Sequence, residues 1–429
     1  MTGVLPGSDL SDQEVLVVAH LCHPRPGTND NASGCGLGME IARAISTLVG
    51  SRVLSRPRRS IRFLFVPEMY GTVSYIDAHP EWPKSVVAGI NLDMVGEDQA
   101  STGSCFIVTS TPWSCPSAVN DIAEYYTRRF FDKKIGFDPA SPVPIRRYRI
   151  SGYAGGSDHY ILVDPTVGIP TVFLGHWPDR FYHSNMDSID KTDPEEFRLV
   201  GLVAASYVLD IASFDKERAR FVLSLVESGA RARLWSAAQM IAEHIGANDN
   251  GWIGFLVERE EAALRSILDL VSSAEIPSDL ESDLNQACES LRREAEYVKE
   301  KIGRLSCSMG KRDTGGTGDV SMRMVGQQPP VTLTASVIPV RHFRAPLDMS
   351  CFWRQISPER TDFYKRRDRE DSLFLSKLFE FVNLMDSRRT LSEIIRRVAA
   401  EFGEFKEDDA SRFLDDLASL GLADLLSTE

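Results

Sequence analysis

The chain has 429 residues, 43% hydrophobic and 25% charged, with a formal net charge of −13. That length allows two or three globular domains, and the acidic balance argues against general nucleic-acid binding while favouring a cationic partner such as a peptide amino terminus. No apolar run approaches the roughly 18 residues of a membrane span. The opening residues lack the basic-then-apolar pattern of a signal peptide, and seven scattered cysteines without a Cys-x-x-Cys pair suit a reducing cytoplasm.

Residues 1–14 read as a short polar lead-in. Residues 15–19 (Val-Leu-Val-Val-Ala) have the short, β-branched pattern of a buried parallel strand, which ends at His20. A Pro/Gly-rich loop follows, then Asn29-Asp30-Asn31-Ala32-Ser33-Gly34 and a small-residue helix over 35–49. Ligands in open α/β sheets bind beyond the carboxyl ends of the strands. His20 leaves such an end, and Asp30 stands just before a helix N-terminus. An imidazole and a carboxylate so placed are natural zinc ligands, although they also fit a half-buried histidine and a helix cap.

Residues 60–66 form a second predicted strand ending at Pro67-Glu68, and 75–78 belong to the helix after it. A third strand over 86–92 delivers Asp93, and a fourth covers 105–109. Residues 118–131 read as an amphipathic helix with a basic end. Residues 139–157, rich in Pro and Gly, read as a long substrate-side loop leading into Ser157-Asp158-His159. A last buried strand over 168–174 precedes the run 181–190, which contains His183. Asp193-Pro194-Glu195 then opens a closing helix that reaches residue 212. Strands alternating with helices predict an α/β domain over 1–214, a mostly parallel sheet sandwiched by helices.

From 215 the texture changes. Residues 217–245 and 253–305, rich in Ala, Leu, Glu and Arg, predict a helical hairpin or short coiled coil over 215–307, a surface through which a homo-oligomer could form. Gly-Ala-Asn-Asp-Asn at 246–250 repeats the wording of the 27–31 loop but follows a helix, so it reads as a decoy turn. Residues 308–339 read as a linker, and 340–429 as a further domain with helices over 373–385, 391–402 and 408–420. Thr390 and Glu393 form a capping box, and Gly421 is a stop signal.

His20, Asp30, Glu68, Asp93 and His183, in this order and context, resemble the zinc aminopeptidase family that also contains the transferrin receptor and the glutaminyl cyclases. The likeness is closest to its aminopeptidase-like branch, through the His-x-Cys-His-Pro opening at 20–24 and the Pro67-Glu68 motif, and covers about residues 13–212. The resemblance implies a zinc exopeptidase-like fold in which His20, Asp30 and Asp93 hold one Zn2+. Asp30 would bridge to a second, which His183 would help to hold. Relatives carry more chain before the first metal-binding strand, so the upstream sheet edge is either absent here or supplied by another segment.

Active relatives have Glu-Glu where this chain has Pro67-Glu68-Met69. Counting back from Gly71 makes Glu68 the general base and puts Met69, a poor zinc ligand beside carboxylates, at the ligand place. Counting by the strand end instead makes Glu68 the ligand and Pro67 the lost base. The first count is preferred, because it keeps a proton shuttle and one well-formed metal site. Relatives often orient the first histidine with an aspartate two residues on; here that residue is Cys22, and His23 is open as a ligand or a substrate contact. His159 reads as a donor to an oxyanion, or else as part of an Asp158–His159 pair pinning its loop. Tyr182 is a further candidate donor. His79, His176, His244 and His342 read as structural or surface groups.

The C-terminal wording resembles winged-helix peptide-chaperone modules. With 15 Lys and Arg against 18 Asp and Glu over 341–429, this part is expected to bind peptide rather than nucleic acid. The resemblance as a whole implies a zinc-dependent aminopeptidase acting on the N-terminal residue of peptides. A glutaminyl-cyclase-like acyl transferase and a catalytically impaired peptide-binding scaffold are the alternatives, the latter favoured by Pro67 and Cys22.

Overall fold

The computed structural model describes residues 1–23, 25–132, 146–243, 251–272, 276–309 and 337–427. Two compact units result: residues 1–226 with 265–281, and residues 227–264 with 282–429. Their boundary falls inside the helix Lys216–Glu243, and residues 265–281 belong with the first unit.

The first unit is built on a seven-stranded sheet. Its strands are β1 (Thr2–Leu5), β2 (Leu10–His20), β3 (Arg59–Val66), β4 (Val86–Leu92), β5 (Cys105–Thr109), β6 (Tyr148–Ser151) and β7 (Thr171–Trp177), in the order β1-β3-β2-β4-β7-β5-β6. The central four, β3, β2, β4 and β7, are parallel. β1 lies antiparallel on β3, β5 is antiparallel to β7, and β6 is parallel to β5. The expected mostly parallel sheet with flanking helices is the architecture found. Val15, Leu16, Val17, Val18 and Ala19 are wholly buried. A strand covered on both faces needs such an unbroken apolar run.

The helices Gly34–Gly50 and Pro194–Ala212 lie on this sheet and on each other. In the second, Val200, Val203, Ala204, Tyr207, Val208 and Ile211 recur at helical spacing and are buried. The Tyr207 hydroxyl at the end of that stripe donates to the Gly89 carbonyl in β4 (3.0 Å). Asp193 caps the helix by accepting from the Glu195 amide (2.8 Å).

Three sequence expectations change. The polar lead-in is β1 and the start of β2, so residues 2–5 themselves supply the sheet edge through residues 61–64 of β3. Four residues are too short to show a strand period. Of the expected loop over 139–157, residues up to 145 lie outside the described residues, and Tyr148–Ser151 is β6. The last strand also begins later than expected and extends to Trp177, so His176 is a strand residue.

The helices Lys216–Glu243, Trp252–Arg265 and Ser278–Met309 contribute residues 227–243, 252–264 and 282–309 to the second unit. Ala230, Leu234, Ala238 and Ile241 share a core with Ile253, Val257, Leu291, Ala295, Val298 and Ile302. The C-terminal part carries the helices Met349–Gln355, Pro358–Glu370, Phe374–Asn383, Leu391–Phe402 and Glu407–Ser419. It also has an antiparallel pair, β8 (Val337–Arg341) with β9 (Ala423–Ser427). The Trp252 indole donates to the Ala400 carbonyl (2.6 Å) and Arg397 pairs with Glu258 (2.6 Å), so these helices and the hairpin are one body. The 246–250 turn and most of the 308–339 linker lie outside the described residues. Among the described residues no helix is long and apolar enough to cross a membrane.

Arg59, at the start of β3, is completely buried. Its guanidinium donates to Gln13 Oε1 (2.8 Å), the Ile211 carbonyl (3.2 Å) and the Leu270 carbonyl (2.8 Å), joining the sheet to two helices of the first unit. Hydrogen bonds from a charged donor contribute about 1.5–3 kcal/mol each, and removing one buried partner strands the others. Arg59→Ala is therefore expected to lower unfolding free energy by about 3 kcal/mol or more in a denaturant titration. An unchanged midpoint would show that these contacts give no net stabilisation.

Candidate metal centre

The carboxyl ends of β2 and β4 and two loops meet at one point. His20 is the last residue of β2, Asp93 follows β4, Asp30 lies in the π-helical turn Thr28–Ser33, and His183 lies after β7. His20 Nε2 is 3.2 Å from Asp30 Oδ1 and 3.3 Å from Asp93 Oδ1. On the other side of the same carboxylate, Asp30 Oδ2 is 3.0 Å from His23 Nε2 and 3.2 Å from His183 Nε2. Two three-residue sets able to hold a metal ion result, His20–Asp30–Asp93 and His23–Asp30–His183, with Asp30 common to both.

The turn that carries Asp30 is fixed from several directions. Asp187 accepts from the amides of Asn29 (2.8 Å) and Asp30 (3.0 Å). Asn31 donates to the Leu92 carbonyl (2.9 Å) and accepts from the amides of Gly34 (2.9 Å) and Met94 (3.3 Å), tying the turn to the end of β4. Ser33 donates to the Asn29 carbonyl (2.6 Å) and accepts from the Val95 amide (3.0 Å). The Asn29 side chain donates to buried Glu97, whose carboxyl is pushed up to about 8 by burial, with the Asp179 charge adding to it. The chain passes so closely here that a Cβ on Gly27 would lie 2.0 Å from the Asp30 carbonyl oxygen, and one on Gly34 2.2 Å from that of Leu92.

Electrostatically the site pairs imidazoles with buried carboxylates. Burial opposes charge on His20, but the Asp30 and Asp93 carboxylates override it and push the ring up to about 12. Burial likewise opposes charge on Asp30, and His20, His23 and His183 hold it below its ordinary value. The His20 Nδ1–H points to the Cys22 carbonyl (3.3 Å), so Nε2 is the ring nitrogen directed at the two carboxylates. Beyond this contact with His20, the buried Asp93 Oδ1 has no hydrogen-bond partner.

These features fit zinc. A tetrahedral ion with ligand bonds of about 2.0–2.1 Å separates its ligand atoms by roughly 3.3 Å. The His20 contacts have that spacing, with a donor set of one imidazole and two carboxylates.

Glu68 stands on the turn after β3, half-buried, with the carboxyl pushed up to about 7. Burial is the main cause; Asp93, Asp158 and Asp30 add to it, and His20 opposes it. The turn is clamped on both sides. The Glu68 amide donates to Cys22 Sγ (3.0 Å), and the next amide, Met69, donates to Asp158 Oδ1 (2.8 Å), which also takes the Thr72 hydroxyl (2.6 Å).

His159 does not join the cluster. It is buried, its Nε2–H donates to the Ala154 carbonyl (2.7 Å), and its Nδ1 faces the Asn91 amide (3.3 Å). Burial holds it down at about 4, so it is a neutral ring with its one donor already used. The expected oxyanion role is therefore replaced by loop pinning, through Ala154 and Asn91 rather than through Asp158. Tyr182 stacks on His183 (centroids 3.6 Å apart) and keeps its proton, pushed up to about 12 by burial and by the Asp30, Glu68 and Asp93 charges. His176 is buried, with Nδ1 on the Met94 carbonyl (2.9 Å), and His342 pairs with Asp424 (2.7 Å). His79 lies against Tyr75, and His244 lies outside the described residues.

Sequence reasoning passed over Asp187 and Asn31, and paired Asp158 with His159 where it holds the Met69 amide and the Thr72 hydroxyl. Asp187 lies four residues after His183, which places it on the same loop. Nothing local indicates that it reaches amides 157 and 158 positions upstream.

Residues 1–208 match the model of peptidase family M28. Over 86 residues the chain is 33% identical to a provisionally named polysaccharide-biosynthesis protein with an aminopeptidase-like domain from Clostridium acetobutylicum, a match to 20% of this chain and 18% of that one. The chain thus spans under a fifth of that curated relative. A solved structure from the same organism, provisionally named a peptidase, is similar over 99% of this chain and 60% of its own (15% identity, TM-score 0.36). A zinc aminopeptidase from Bacillus subtilis is similar over 48% of each chain (24% identity, TM-score 0.37).

Partners that orient a metal loop typically change metal affinity 10–100-fold when removed. Asp187→Ala is expected to weaken zinc binding within that range, measured by competition with a chromophoric chelator. Unchanged affinity would mean that the Asp30 turn holds its shape without Asp187.

Proposed function

We propose, from the match of residues 1–208 to the model of peptidase family M28, that the chain is a zinc-dependent aminopeptidase removing the N-terminal residue of peptides. The observation that carries this reading is the convergence of His20, Asp30 and Asp93 at zinc-ligand spacing. Beside them, Glu68 is a carboxyl shifted toward neutrality.

Zinc, when bound, polarises the scissile carbonyl and acidifies the attacking water. The chain's own part is proton transfer and positioning. Glu68 takes the proton from the water and passes it to the leaving nitrogen, a role that needs a pKa near the working pH. Met69 has no carboxylate to offer, which supports Glu68 as base rather than ligand. The Cys22 and Asp158 clamps fix the turn from which Glu68 acts. Tyr182 keeps its hydroxyl proton and can donate to the developing oxyanion. The acidic cluster favours a substrate with a free, cationic amino terminus. The C-terminal helices with β8 and β9 are read as a winged-helix-like module that binds the peptide.

Glu68→Gln is expected to keep zinc bound and to lower turnover of an aminoacyl anilide by about 10² or more. Loss of the metal instead would make Glu68 a ligand and remove the base from this account. In the wild type, kcat/KM should fall as pH drops through about 7 or below, since protonated Glu68 cannot accept a proton and bound zinc lowers its pKa further. That acid limb should be missing from the residual activity of Glu68→Gln. A limb unchanged by the substitution would assign the titration to another group.

A further inference from the structure

The His20 set uses one oxygen of Asp30, leaving the other to a different pair of groups. His23 and His183 both direct Nε2 at Asp30 Oδ2, at 3.0 and 3.2 Å. Their rings meet edge to face with centroids 4.8 Å apart, so the two nitrogens converge instead of stacking side by side. Those separations are again about the edge of a zinc tetrahedron. His183 is held at φ +54°, a backbone region costly for a side chain of its size. The side chains of His23 and His183 are 22% and 54% exposed, against 1% for His20. The second set therefore opens to solvent, leaving room for a water or substrate as a fourth ligand.

The turn after β3 offers no carboxylate beyond Glu68, because the next residue is Met69. We propose that His23 supplies the missing ligand, so that His23, Asp30 Oδ2 and His183 hold a second metal ion. This rests on the zinc reading of the His20 set and extends it: the centre is dinuclear, its second ion bound by two imidazoles and one carboxylate oxygen. Such a set favours Zn2+ or Co2+ over Mg2+ or Mn2+, which prefer all-oxygen surroundings. Glu68 is thereby left free of both ions.

The test is metal stoichiometry on the full chain. Apoprotein prepared with a chelator is titrated with Co2+ and followed by its visible absorption, and zinc content is measured after equilibration and gel filtration. The wild type should bind two equivalents. His23→Ala should bind one, with affinity for the second weakened by at least about 100-fold, since even removing a residue behind a ligand costs 10–100-fold. His23→Gln, of similar length and polarity, should lose the same equivalent, which separates ligand loss from misfolding. Two equivalents retained in both variants would overturn the proposal. One equivalent in wild type and variants alike would also overturn it, while leaving the mononuclear zinc reading intact. No bound metal in the wild type would remove the zinc reading itself, and this proposal with it.

Discussion

The site depends on one buried carboxylate that must be neutralised on both of its oxygens. Asp30 is 5% exposed, and an unpaired charge at that depth costs several kcal/mol. The fold meets that cost by bringing three imidazoles to it from two loops and a strand end. Everything around the turn serves to keep the carboxylate where those rings are. Asp187 holds its amides, Asn31 fastens it to β4, and Gly27 and Gly34 let the backbone pass where no Cβ would fit. The surroundings carry strain as well: Met69, Met94 and His183 all have positive φ (53°, 62° and 54°), each beside or within the cluster. Such strain persists where the surrounding structure over-determines the backbone.

A second constraint concerns the placement of Glu68. Its turn is gripped between Cys22, which follows the end of β2, and Asp158, which follows β6. Ser157 and His159, on either side of Asp158, face Asn91 near the end of β4 (2.8 and 3.3 Å). The Ser157-Asp158-His159 segment thus braces two strand ends at once. Cys22 has a double use: its carbonyl orients His20 and its sulfur accepts the Glu68 amide. The departure from the usual aspartate therefore leaves the first imidazole oriented, because a backbone oxygen does that work.

The core strands were legible because burial on both faces demands a continuous β-branched run, and residues 15–19 and 60–66 show one. β1 and β6 were not, since four residues among polar and turn-forming neighbours carry no readable period. The closeness of His20, Asp30 and Asp93 could be read from two strand ends and a helix start, where an open α/β sheet gathers its loops. The orientation of His159 could not, because whether its ring faces a metal or the Ala154 carbonyl depends on a loop with no local signature. His23 lay between these cases: the sequence marks it as adjacent, and only the direction of its Nε2 toward Asp30 distinguishes a ligand from a substrate contact.

The central claim, that Asp30 is the pivot of a zinc centre, is tested most directly by anomalous diffraction at the zinc absorption edge from crystals grown with Zn2+. The account predicts anomalous peaks on both sides of the Asp30 carboxylate, each about 2.0–2.2 Å from its ligand atoms. One peak would lie among His20, Asp30 and Asp93, the other among His23, Asp30 and His183. Peaks only elsewhere on the surface, with Asp30 bonded to nothing but the histidine protons, would contradict it.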